Sequence, residues 1–215
     1  PTAESPHKMR RPAWHLTSLI WLVCNVFFAT QTAALDSVRF AVAGASEGLV
    51  RDLRAASLVQ SAFLEKRTEP RDILSAALAD YGRLLETLYA NGHYGGVIQI
   101  RIDGREAADL PLLTVPARIR EIVITVNPGP VFQFGRTAIS PLAPGTDLLP
   151  EFRIGQPARS VAIRDAVAGA VGNWRDAGHA KAKPVDQRIV ADHVVNTLST
   201  EIRLDPGPRI QFGDL

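Results

Sequence analysis

One phrase occurs twice in this chain, and it constrains the fold more than any other feature. Asn127-Pro128-Gly129-Pro130-Val131-Phe132-Gln133-Phe134-Gly135 returns as Asp205-Pro206-Gly207-Pro208-Arg209-Ile210-Gln211-Phe212-Gly213. A second correspondence precedes each copy: Asn91-Gly92-His93 and Ala177-Gly178-His179 both close a stretch with helical periodicity. Self-similarity of this kind means that one supersecondary unit is used more than once. The copies run over residues 35–130 and 131–208, and residues 209–215 read as the first strand of a third.

Each copy has the same internal order. In the first, Val38, Phe40 and Val42 alternate with polar or small residues, as a half-buried strand does. Ser46 offers a helix N-cap, and Leu49, Leu53 and Ala56 make a short amphipathic helix. Ile73, Ala76, Ala77, Tyr81, Leu84, Leu85, Leu88 and Tyr89 form the apolar stripe of a longer helix. Gly92 supplies the left-handed residue that ends it. Ile98, Ile100 and Ile102 alternate with Gln99, Arg101 and Asp103, a two-faced strand. Residues 104–117, with Pro111 and Pro116, read as a loop. Ile122, Ile124 and Val126 form a last strand, stopped by Pro128-Gly129-Pro130.

In the second copy Phe132 and Phe134 lead a strand toward Ile139. Pro141, Pro144, Gly145 and Pro150 mark an irregular stretch with at most one helical turn. Ile163, Val167, Ala170, Val171 and Trp174 form the main helix, closed by Gly178. Strands near 180–191 and 197–204 follow, joined by a turn at Val195-Asn196. The expected class is α+β: two units in tandem, each strand-helix-helix-strand-strand, each with a three-stranded mixed sheet covered on one face by two helices.

The first 34 residues read as a secretory leader. Lys8-Met9-Arg10-Arg11 is a positive start, Leu16–Ala29 is largely apolar, and Thr32-Ala33-Ala34 offers small residues for cleavage after Ala34. The apolar run is shorter than the roughly 20 residues a spanning helix needs. Cys24, the chain's one cysteine, sits inside it and reads as an apolar filler, so no disulfide is expected in the remainder. The net charge of +2 also resides in the leader, in Lys8, Arg10 and Arg11 against Glu4. The rest is charge-balanced, which gives no case for nucleic-acid binding.

The same inventory offers little for catalysis. His93 and His179 stand just past helix-ending glycines, and no two histidines have metal-ligand spacing. Their plainest role is as polar groups at a helix C-terminus, where a cation suits the dipole. Asp36, Asp80 and Asp103 are too scattered to argue an acid–base pair. No phosphate loop or nucleophile elbow is present. The expected protein is not an enzyme and needs no cofactor or metal.

The helix ending Tyr-Ala-Asn-Gly-His-Tyr-Gly, the strand after it, and a last strand closing in Pro-Gly-Pro ahead of Phe-Gly resemble POTRA domains. Leu84–Asp103 and Ile119–Gly135 carry most of the resemblance. Trp174–Ala180 and Leu204–Gly213 repeat it. TamA-like members of the BamA/TamA family are the nearest resemblance. It implies periplasmic POTRA domains ahead of an outer-membrane β-barrel that this chain does not include. It also implies work with a TamB-like inner-membrane partner on unfolded outer-membrane proteins such as autotransporters. Two other POTRA-bearing classes compare less well. An FtsQ-like divisome scaffold keeps its anchor and has one such unit, and a two-partner secretion transporter has a barrel after its pair.

In POTRA-like folds the second strand lies at a sheet edge, where an extended polypeptide can add through main-chain hydrogen bonds. Here that means Val97, Ile98, Gln99, Ile100, Arg101, Ile102 and Asp103 in the first unit, with Gln99 and Arg101 facing solvent. In the second unit it means residues 185–191. These strands are either addition edges or ordinary members of a protected sheet. Pro128, Gly129 and Pro130 are a candidate linker, stiffened by two prolines, that sets the angle between units; they are equally compatible with a plain strand stop.

Overall fold

The computed structural model describes residues 35–111 and 115–210. The leader, its cleavage after Ala34 and the residues after Ile210 lie outside the described residues. The molecule is α+β, with two sheets that each carry their own core.

The first sheet has the order β1-β4-β2-β3, from strands β1 (Ser37–Val42), β2 (Val97–Ile102), β3 (Arg105–Glu106) and β4 (Glu121–Asn127). β1 runs parallel to β4, and β2 runs antiparallel to it on the other side. Three helices accompany this sheet: α1 (Glu47–Ala56), α2 (Leu58–Leu64) and α3 (Pro70–Ala90). Ser46 caps α1 by accepting the Leu49 N–H at 3.3 Å, and Pro70 opens α3 at a position that needs no N–H donor. Ile122, Ile124 and Val126 point one way from β4 and are buried with Leu53, Ile73, Leu84, Leu88 and Ile100. Each such side chain contributes about 1.5–3 kcal/mol by burial.

Sequence periodicity anticipates two helices here, and the structure has three. Ser57 ends α1 and caps α2, its hydroxyl oxygen accepting the Gln60 N–H at 3.1 Å. The break is held from a distance by Asp80 of α3. That buried carboxylate accepts from the Ser57 hydroxyl at 2.5 Å, the Leu58 N–H at 2.7 Å and the Val59 N–H at 3.2 Å. It satisfies the free amides at the start of α2, which would otherwise be buried without partners.

The second sheet has the order β5-β7-β6, from β5 (Gln133–Ser140), β6 (Lys183–Asp192) and β7 (Thr197–Asp205). β5 is parallel and β6 antiparallel to β7. One helix, α4 (Ser160–Asp176), serves this sheet, where the first has three. The irregular stretch before α4 substitutes in part. Phe152 is buried and meets Phe134 edge-on at 5.2 Å. Residues 155–158 run beside β5, with Phe134 N–H to Gln156 O, Gly155 N–H to Phe134 O and Ala158 N–H to Phe132 O.

Candidate strand-addition edges

The second strand of each sheet ends in a different situation. β2 is not the outermost strand, because β3 lies beyond it and pairs Arg101 with Glu106 and Ile102 with Arg105. Asp103 and Gly104 connect them with φ of 47° and 85°, the two-residue left-handed turn that joins tight hairpins. Asp103 is therefore turn, not strand. Its carboxylate accepts from Arg120 N–H at 3.1 Å and Glu121 N–H at 2.9 Å, tying the turn to the start of β4. The stretch expected to be a loop from residue 104 onward opens with a strand.

Side chains close more of β2. The Ile100 N–H donates to Glu106 Oε1 at 3.1 Å, the Tyr81 hydroxyl bonds that same carboxylate, and it lies 3.4 Å from the Ile100 carbonyl. Burial, and next the hydrogen bond and charge of Glu106, push the Tyr81 phenol up to about 12. Backbone groups in an antiparallel strand alternate between the two neighbours. Ile98, Ile100 and Ile102 therefore turn theirs away from β4. Ile100 is engaged by Glu106 and Tyr81, and Ile102 pairs with Arg105. Ile98 is the residue left over. Of the sequence candidates Val97–Asp103, Gln99 and Arg101 are exposed, but the strand they belong to offers little free ladder.

Among the described residues β6 pairs with β7 alone, and it has ten residues, nearly all exposed. Every second one turns its amide and carbonyl outward. The ladder shifts register at Val185, between Pro184 and Asp186, and runs unbroken from Asp186 to Asp192. Adjacent residues point to opposite faces of a strand. Ile189 and Val190 are neighbours, and they are 43% and 48% exposed. The strand thus exposes an apolar side chain on each face, although Ala191, on the face of Ile189, packs against the second core. Lys183, Pro184, Asp186, Arg188 and Asp192 are the kind of residues that keep an edge from indiscriminate pairing. The remaining edges are less open. The start of β5 is flanked by residues 155–158. Among the described residues β1 is also unpaired on its outer side, but it has six residues against the ten of β6, and Val38, Phe40 and Val42 pack on the first core.

The candidate linker is hydrogen-bonded in place. Gly129 has φ of 67°, its N–H donates to Asn127 Oδ1 at 3.2 Å, and His93 Nδ1 lies 3.0 Å from its carbonyl. Beyond it, Phe132 is fully buried between Tyr94 of the first domain and His193 of the β6–β7 turn, at ring separations of 5.6 and 5.2 Å. Tyr94 also stacks on Tyr89 at 4.8 Å, and burial, next the charge of Tyr89, pushes its phenol up to about 12. His193 and the Tyr94 stack are contacts that periodicity alone does not signal. Asp36 pairs with Arg118 at 3.0 Å on the surface. Among the described residues no three His, Cys, Asp or Glu side chains gather as a metal site. No described helix is long and apolar enough to cross a membrane.

The geometry defines a class: α+β with two sheets, in which β6 is the longest strand paired on one side only among the described residues. No family model matches the chain, and no curated protein matches it. Among solved structures it is similar to POTRA3-5 of Haemophilus influenzae BamA, at 15% identity and a TM-score of 0.48, over 82% of this chain and 67% of that one. It is similar to POTRA1-3 of Anabaena Omp85 at 12% identity and 0.41, over 81% of this chain and 61% of that one. For the N-terminal domain of Thermosynechococcus elongatus Omp85 the values are 14% and 0.37, over 81% of this chain and 63% of that one.

Proposed function

We propose that this chain is the periplasmic POTRA region of an outer-membrane protein assembly or autotransporter secretion factor, and that it holds extended polypeptides by strand addition along β6. The observation that carries the reading is the state of β6. It is a ten-residue edge with an unbroken ladder from Asp186 to Asp192, and Ile189 and Val190 are half-exposed on its two faces. Main-chain bonds supply affinity, and apolar side chains on alternate faces supply loose selectivity. That combination suits unfolded outer-membrane clients, which share alternating apolar strands rather than a fixed sequence. The proposal extends to a TamA-like full-length protein tethered to the outer membrane by a C-terminal barrel, with a third POTRA domain opening at 209–215 and a TamB-like partner at the inner membrane. The role is binding, without catalysis.

Site-specific photo-crosslinking in a Gram-negative cell tests the reading. A crosslinker in place of Ile189 or Arg188 is expected to trap unfolded outer-membrane clients, whereas one in place of Arg101 is expected to trap few. Equal capture at both strands, or capture at Arg101 alone, would sink it.

A further inference from the structure

The joint after the first domain is repeated, hydrogen bond by hydrogen bond, after the second. His93 Nδ1 lies 3.0 Å from Gly129 O, and His179 Nδ1 lies 2.8 Å from Gly207 O. The Gly129 N–H donates to Asn127 Oδ1 at 3.2 Å, and the Gly207 N–H to Asp205 Oδ1 at 2.9 Å. The Phe132 N–H donates to Gly92 O at 2.8 Å, and the Ile210 N–H to Gly178 O at 2.9 Å. Gly92 and Gly178 both have left-handed φ, 85° and 95°, and Gly129 and Gly207 both have 67°.

The two joints differ in what packs on them. At the first, Phe132 is fully buried against Tyr94 and His193. At the second, the matching Ile210 is 48% exposed. The same main-chain geometry therefore stands whether the residue after the linker is a buried phenylalanine or a half-exposed isoleucine, and at the second joint Trp174 meets His179 edge-on at 4.9 Å. Its cause lies in the domain that precedes the joint.

We infer that His93 and His179 are positioning residues for the linkers: each donates from Nδ1 to the glycine carbonyl of its Pro-Gly-Pro and fixes the direction in which the chain leaves its domain. A carbonyl can only accept, so Nδ1 carries the proton. The prolines restrict φ on either side of the glycine, which leaves the glycine as the flexible point, and that is the residue the histidine holds. The glycines at the helix ends allow the close approach. A Cβ on Gly92 would meet Val131 Cγ1 at 3.4 Å, and one on Gly178 would meet Arg209 Cγ at 3.2 Å. The consequence is a stiff, pre-aimed joint that presents successive modules in one orientation, whatever β6 binds.

Two measurements on the full chain, with Cys24 replaced by serine, test the inference. Spin labels at the exposed positions 75 and 168 report the distance distribution between the domains. His93→Ala should broaden it while the first domain keeps its thermal transition. His93→Asn, whose Nδ2 occupies the place of Nδ1, should keep it narrow. At the second joint, His179→Ala should raise solvent exchange of the Ile210 amide about fivefold, the effect of one lost hydrogen bond, and His179→Asn, which also lacks the ring that meets Trp174 but keeps a donor, should restore it. An unchanged distribution in His93→Ala, or an unchanged Ile210 exchange rate in His179→Ala, overturns the inference.

Discussion

β2 and β6 hold the same place in two copies of one template, yet one edge is closed and the other is bare. Beyond β2 the chain turns at Asp103-Gly104 and lays β3 alongside, and Glu106 and Tyr81 engage the backbone of Ile100. Beyond β6 the chain turns at His193–Asn196 straight into β7, so among the described residues no strand lies on the outer side. Helix cover differs in the same sense, with three helices over the first sheet and one beside the second. The lesson is that a repeat fixes topology but not accessibility. Accessibility is decided by the insertions between template elements, here the 103–120 segment, which the second copy lacks. The 103–120 segment thereby covers β2 with β3, while β6 stays exposed along nearly all of its length.

The largest effect expected from breaking this contrast is at Asp80. Asp80→Ala leaves the Ser57 hydroxyl and the Val59 amide buried without their acceptor, and each such loss costs about 1–3 kcal/mol. The first domain should lose roughly 3–4 kcal/mol in chemical denaturation, with β6 and its ligand binding untouched. A smaller contrast comes from matched truncations. Ile100→Ala empties a fully buried site and should cost about 2–4 kcal/mol, whereas Ile189→Ala, on the bare edge, should stay within about 1 kcal/mol and weaken polypeptide binding instead. Denaturation curves for the two variants decide this.

The smallest effect concerns the lock on β2. Glu106→Gln removes the charge beside Tyr81 while burial remains. The Tyr81 phenol should then titrate below its present value of about 12 yet above its ordinary 10, with Tyr94 still near 12. NMR of ring-labelled tyrosines reads this directly. Both phenols are raised by folding, so their neutral forms favour the folded state. That contribution is complete below pH 10 and is lost as pH rises from 10 through about 12.

Much of this was legible in the sequence. The repeated phrase and the two alternations, of period 2 and of helical spacing, mark β1, α3, β2, β4, α4 and β7 because burial on one face imposes those periods. The second-strand candidates were legible from the same pattern, but their accessibility was not. The Asp103-Gly104 pair between Ile102 and Arg105 is a strong hairpin signal, masked by the nearby Pro111 and Pro116 that favoured a loop. Asp80 reads as a stray carboxylate, because its partners at Ser57, Leu58 and Val59 are brought to it only by tertiary packing. His93 and His179 show their matched positions in sequence, but the carbonyls they bond stand in linkers far along the chain.

The central claim is that β6, and not β2, is the edge that accepts a strand. An amide-resolved NMR titration of the chain with a peptide from the last strand of an outer-membrane barrel tests it most directly. The account predicts that shifts and new solvent protection concentrate between Asp186 and Asp192. It also predicts that a proline at whichever of positions 188 and 189 turns its N–H outward abolishes them without unfolding the domain. Shifts centred on Val97–Ile102, or binding that survives both prolines, would contradict it.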